Sequence, residues 1–278
     1  MINRQRILLQ FLKEAQRPVS QSELTAWAFL LRHEYKTKGG RGFYQFIPHD
    51  VGPFSFVLNH ELKNLREFGY IRPSNEQAWI LCDYEFPAIT DHKVADDVTR
   101  VIHDFASHDT QQLFDRIRQR HPAYIPKSGQ PIVAAMSTLF TAGIEGISID
   151  RFLGRLIDNG IQRMIDIRHN PNARRFGFHQ TTLERIAEEI NIDYVRLPEL
   201  LCYSCSQQTT SAEGEPLAFD RDRNLNLSKE RIASARVAAL AQELPSAVFC
   251  ITAKPEHCQR TQVAAAVSAM GNLSIHHL

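Results

Sequence analysis

From Ser137 onward, apolar runs of strand length alternate with segments of helical periodicity, and this alternation narrows the choice of fold more than any other feature. Leu139–Ala142 reads as a strand. Gly143 to Gly146 turns into a helix that Ser148 caps, with Phe152, Leu153, Leu156 and Ile157 on its apolar face. Gly160 ends that helix and Ile161–Arg168 forms a second strand. A helix over 181–190 leads to a third strand, Tyr194–Leu197. Residues 201–227 read as a long loop, a length usually kept for function or mobility. Ser228 then caps a helix carrying Ile232, Val237 and Leu240. Val248–Thr252 is a fourth strand, and a helix over 259–270 precedes a last strand near Leu273–His276. The expected class is α/β: a mostly parallel five-stranded sheet with helices on its faces.

The earlier part of the chain reads differently. Ile7, Leu8, Phe11 and Leu12 mark one face of a helix over 2–15, which Arg17-Pro18 breaks. Ser20 or Ser22 caps a second helix with Leu24, Trp27, Ala28, Leu30 and Leu31. After a glycine-marked insertion and Gly52-Pro53 comes a helix with Leu58, Leu62, Leu65 and Phe68, ended by Gly69. Tyr70–Arg72 and Trp79–Leu81 form a hairpin. This layout predicts a smaller winged-helix-like α+β domain. The run Tyr44-x-Phe46-x-Pro48 with Gly52-Pro53-Phe54-Ser55 looks like the amino-terminal modules of some bacterial proteins related to toxin–antitoxin regulators. Residues 54–68 are the helix that would meet DNA, yet Lys63 and Arg66 are its only basic residues, few for a strong DNA reader. Nucleic acid and a protein partner both stay open for this module. Residues 91–121 read as helical and amphipathic, and Pro122 to Pro131 as the linker. The expected domains are 1–90, winged-helix-like; 91–130, a helical connector and linker; and 131–278, the α/β domain.

Charge and cysteine usage set bounds on function. A net charge of +1 over 278 residues gives no global case for a nucleic-acid partner. Of the 15 basic residues after position 130, however, 13 are arginine, the side chain suited to fork-like recognition of phosphate or carboxylate. Five cysteines, an odd number, fit a reducing compartment. No stretch reaches the roughly 18 apolar residues of a membrane span, so the expected setting is cytoplasmic and away from the membrane.

Chemistry concentrates after the second strand of the α/β half. Asp166 and Arg168 alternate onto one side of the strand, and the loop beyond carries Asn170, Pro171, Arg174 and Arg175. Ligands of open α/β sheets sit past the carboxyl ends of the strands, so Arg168, Arg174 and Arg175 are candidate anion ligands. A second strand-end loop runs from Thr252 to Arg260. Cys258, near a helix start and close to Lys254, His257 and Arg260, is a candidate nucleophile or a small buried residue. One residue separates Cys258 from Arg260, where cysteine phosphatases need five, so that reaction is disfavoured. Glu199, after the third strand, is a candidate acid–base group or a partner for the arginine loop. Asp166 reads as an arginine-orienting carboxylate before a base. Cys202 and Cys205 form a Cys-x-x-Cys pair: zinc lacks a second such pair, and a redox role lacks the usual position opening a helix.

Met136 to Leu278 resembles the domain-of-unknown-function 488 family. The matching residues are Thr141-Ala142-Gly143-Ile144, the Asp166-x-Arg168-x-x-Pro171-x-x-Arg174-Arg175 loop, Leu197-Pro198-Glu199-Leu200, and Cys250 followed after seven residues by Cys258-Gln259-Arg260. Members usually carry Cys-His-Arg at the last site; the glutamine here weakens any proton-transfer role for position 259. The resemblance implies a fold and a site, with no settled reaction.

Two functions follow as expectations. One is an enzyme acting on a nucleotide, nucleic acid or other phosphorylated substrate, with Asp166, Glu199 and Cys258 as catalytic groups and Arg168, Arg174, Arg175 and Arg260 holding the anion. The other is a regulator whose α/β domain senses a phosphorylated ligand while the winged helix contacts DNA or a protein. The enzyme needs the carboxylates and thiol beside the arginines; the sensor needs the arginines alone. The sequence names no cofactor, assigns no metal ligand and leaves the oligomeric state open.

Overall fold

A computed structural model describes residues 1–50, 52–75, 78–125, 138–168, 170–172, 175–200 and 223–278. The chain divides into two compact units, Met1–Ser128 and Gly129–Leu278.

The first unit opens with α1 (Asn3–Ala15), the two-residue strand β1 (Val19–Ser20) and α2 (Gln21–Glu34). Ser20 caps α2: its hydroxyl accepts from the Glu23 N–H while the Glu23 carboxylate takes the Ser20 N–H, a reciprocal capping box. A ribbon of β2 (Ile47–His49) and β3 (Gly52–Phe54) precedes α3 (Phe56–Glu67), which Ser55 caps. Gly69, at φ +78°, turns the chain out of α3 into β4 (Ile71–Asn75) and β5 (Ala78–Leu81). These pair antiparallel, and β1 joins the free edge of β5 in a three-stranded sheet ordered β1-β5-β4. The stretch 91–121, expected to be helical, holds two helices, α4 (His92–Phe105) and α5 (Thr110–Arg120). Asp109 caps α5 and so restarts the helix after the break. Leu8, Phe11, Leu24, Trp27 and Leu31 form the core, closed by Val98, Val101 and Ile117 from α4 and α5.

The second unit contains β6 (Thr138–Gly143), α6 (Ile149–Asp158), β7 (Arg163–Asp166), α7 (Gln180–Glu189), β8 (Asp193–Arg196), α8 (Arg223–Glu243), β9 (Ser246–Cys250), α9 (Arg260–Gly271) and β10 (Ser274–His277). Its five strands run in the order β10-β6-β9-β7-β8, and every pairing is parallel. The α/β class expected from the alternation is therefore the class observed. Side-chain alternation divides the strands between two cores. Leu139, Ile165, Val248 and Cys250 face α8 and α9. Phe249 faces the other way, where its ring meets Phe152 of α6, which in turn meets Phe178 ahead of α7.

Some boundaries moved. The helix placed after a Ser228 cap begins at Arg223, because Arg-Asn-Leu-Asn-Leu holds neither glycine nor proline to stop it. The fourth strand starts at Ser246, straight after Pro245, and ends at Cys250, two residues earlier than the apolar run suggested. Most of the Pro122 to Pro131 linker and residues 201–222 of the long loop lie outside the described residues.

Candidate functional site at the carboxyl edge of the parallel sheet

The strand-end loops of β7 and β9 lie at the same edge of the sheet, on neighbouring strands. Arg168 and Arg260 therefore share that edge. What each does there differs.

Asp166 ends β7, and both it and Arg168 are 0% exposed. The Arg168 guanidinium forks onto the carboxylate, Nε to Oδ1 at 2.9 Å and Nη2 to Oδ2 at 2.6 Å, while its backbone N–H donates to Oδ1 at 2.9 Å. Nη1 donates to the Phe178 carbonyl at 2.7 Å, and the guanidinium lies 5.2 Å from the Phe249 ring centre. Tyr194, on β8, donates its hydroxyl to Asp166 Oδ2 at 2.7 Å. Burial works against charge on Arg168, and the Asp166 carboxylate outweighs it, raising the guanidinium pKa further above its ordinary value. Burial and then the Asp166 charge push the Tyr194 phenol well up, so it stays a donor. Both carboxylate oxygens are spoken for, and through Arg168 the pair ties the end of β7 to the Phe178 carbonyl ahead of α7.

Residues 148–267 match the family model described as "Domain of unknown function DUF488". The match falls within the carboxy-terminal half of the chain, where this stretch is similar to the DUF488 family. No curated protein and no solved structure matches the chain. The match begins at the Ser148 cap of α6 and ends within α9, so it takes in both strand-end loops.

The remaining predicted residues of the α/β unit are spread over both faces of its sheet. Arg175 is exposed; its Nη1 donates to the Ile144 carbonyl at 3.0 Å and its guanidinium lies 5.5 Å from the Phe178 ring centre. Burial of part of the side chain lowers its pKa. Arg174, Cys202 and Cys205 lie outside the described residues. Arg260 opens α9 and is 1% exposed. It points inward, donating Nη2 to the Ala253 carbonyl at 2.9 Å and Nη1 to the Thr252 carbonyl, with Nε buried and unpartnered among the described residues. Cys258 is 6% exposed and sits in the apolar cluster with Ile167, Leu197 and Leu200. Asp166 belongs to the Phe249 side of the sheet, so carboxylate and thiol are on opposite faces. Glu199, in the 3-10 turn Pro198–Leu200, is exposed and makes no ion pair among the described residues. No group of three or more His, Cys, Asp or Glu able to hold a metal occurs among the described residues. No helix among them is long and apolar enough to cross a membrane.

The two strand-end loops are zipped to the loop after β6. Ile144 and Glu145 donate backbone N–H groups to the Cys250 and Ile251 carbonyls, and the Ala253 N–H donates to the Glu145 carboxylate at 3.0 Å. Gly143 permits this approach, since a Cβ there would stand 2.2 Å from the Thr252 carbonyl oxygen.

Sequence reasoning passed over Arg196. It ends β8 in register with Asp166, so in parallel strands both side chains leave the same face. It is half-buried, its Nε is enclosed, and its guanidinium makes no hydrogen bond among the described residues. The signal was present in the two-residue spacing of Tyr194 and Arg196, but choosing their face requires the register with β7.

Proposed function

We propose that the α/β unit binds a phosphate-bearing ligand at the carboxyl edge of its sheet through Arg175 and Arg196, as a recognition module in a regulator. The observation that carries this reading is Arg196: a guanidinium at a strand end, partly desolvated, with no protein acceptor among the described residues. A donor group in that state gains from an anionic ligand and loses little by accepting one. Asp166 and Arg168 already satisfy each other, so they shape the loop and leave anion contact to the arginines around it. The separation of Asp166 from Cys258 across the sheet favours recognition over catalysis, because covalent chemistry needs nucleophile and base within hydrogen-bond reach.

We read the first unit as winged-helix-like, a reading supported by its element order and by β1 pairing with the β4–β5 hairpin. That order, with Lys63 and Arg66 exposed on α3, supports DNA or a protein partner as what the unit contacts. An enzymatic reading retains one supporting observation, the exposed Glu199 carboxylate at the same edge. The test is a panel of nucleotides and sugar phosphates incubated with wild type, Cys258→Ala and Glu199→Gln, followed both for binding and for product. Recognition predicts binding in all three with no turnover. Turnover abolished by either substitution would replace this reading with the enzyme.

A further inference from the structure

The first unit holds a cavity of about 610 Å³ between the carboxyl ends of α2 and α4 and the helix α5, unrelated to the strand edge described above. Its size falls within the range of small-ligand sites, roughly 300–1,000 Å³. Glu34 is among the residues that line it. Arg116 donates to Glu34 Oε2 from Nη2 at 2.6 Å and from Nε at 3.3 Å; Arg120 reaches the same oxygen from Nη1 at 3.5 Å; His121 Nε2 lies 3.2 Å from Oε1. Burial pushes the Glu34 carboxyl up, and Arg116, His121 and Arg120 together carry it below its ordinary value.

One carboxylate thus gathers two guanidiniums from successive turns of α5 and leaves donors over. Arg116 Nη1 has no acceptor among the described residues, and Arg120, 60% exposed, makes only the long end-on contact. Arg116 also lies 4.9 Å from the Phe105 ring centre, which fixes its plane. The His33 ring lines the same cavity, packed against Phe29, His121 and Tyr124, with no hydrogen-bond partner among the described residues. Asp104, the other acid in the lining, is engaged by the Tyr35 hydroxyl at 2.6 Å and by His103.

We propose that this cavity is a binding site for a small oxyanion, carboxylate or phosphate, taken by the outward donors of Arg116 and Arg120 with His33 as the neighbouring hydrogen-bonding group. Glu34 is a positioning residue: it holds the arginines side by side and does not meet the ligand. His33 reports occupancy. Its burial, then the charges of His121, Arg32 and Lys38, push its pKa down to about 4, with Glu34 opposing them. An anion in the cavity favours the imidazolium and moves that midpoint upward.

The test is a histidine ring NMR titration of the full chain with sodium phosphate and, separately, sodium acetate. Saturable movement of the His33 and His121 signals, a raised His33 midpoint, and affinity about tenfold weaker in Arg120→Ala would support the site. The anion that saturates at lower concentration names its class. The same titration on Arg196→Ala, with its substitution in the other unit, is expected to be unchanged. Signals that stay put to tens of millimolar of both anions, or that move equally in Arg120→Ala, would overturn it.

Discussion

Asp166 gives one oxygen to the Arg168 backbone and Nε and the other to Nη2 and the half-buried Tyr194 hydroxyl, with Asp166 and Arg168 themselves fully buried. Removing one member of such a pair leaves a charge buried alone, so Asp166→Asn is expected to cost about 3–5 kcal/mol in urea unfolding. Tyr194→Phe, which deletes one hydrogen bond to the carboxylate, should cost about 1.5–3 kcal/mol. A fall of less than ~1 kcal/mol for Asp166→Asn would mean that the carboxylate is not the anchor of this loop. His33 makes a pH prediction in the other unit. Its folded pKa, about 4, lies below the ordinary 6.5, so the stability it lends is complete above pH 6.5 and is lost as pH falls toward 4. His33→Phe keeps the ring contacts and removes the titration; melting curves of the two proteins between pH 7 and 4.5 should diverge, with the variant losing less.

Among the elements, β6 and β9 were the most legible strands of the α/β unit because each is a short apolar run between turn or capping signals. Ser148 illustrates this: its hydroxyl accepts from the Arg151 N–H, as the pattern required. The β2–β3 ribbon was not legible, since Ile-Pro-His and Gly-Pro-Phe are too short and too proline-rich to show a period. The break between α4 and α5 is marked in the sequence only by the Asp109 cap, which an amphipathic reading of 91–121 as helical does not single out. Gly143 is where the elements of the candidate site meet most closely. Gly143→Ala puts a methyl group against the Thr252 and Ala253 backbone, which cannot withdraw without opening the β6 and β9 loops. We expect a loss of about 1–3 kcal/mol in thermal unfolding.

At the scale of the whole chain there are two compact units, each with its own core, and the proposal above assigns the ligand to the α/β unit and a larger partner to the first unit. The arginine richness of the second part pointed to anion chemistry, yet composition does not say which arginines serve the fold. Arg168 and Arg260 are turned inward by Asp166 and by the Thr252 and Ala253 carbonyls, while Arg196 is left without a protein acceptor. Those assignments depend on strand register, which a single sequence does not fix. Cys258 looked reactive beside its basic neighbours in sequence, but the turn ahead of α9 buries it among apolar side chains. The most direct measurement is a thermal-shift panel of phosphate-bearing small molecules against wild type, Arg196→Ala and Cys258→Ala. The account predicts a rise in midpoint with at least one compound, abolished in Arg196→Ala and retained in Cys258→Ala. No rise with any compound, or a rise that survives in Arg196→Ala, would contradict it.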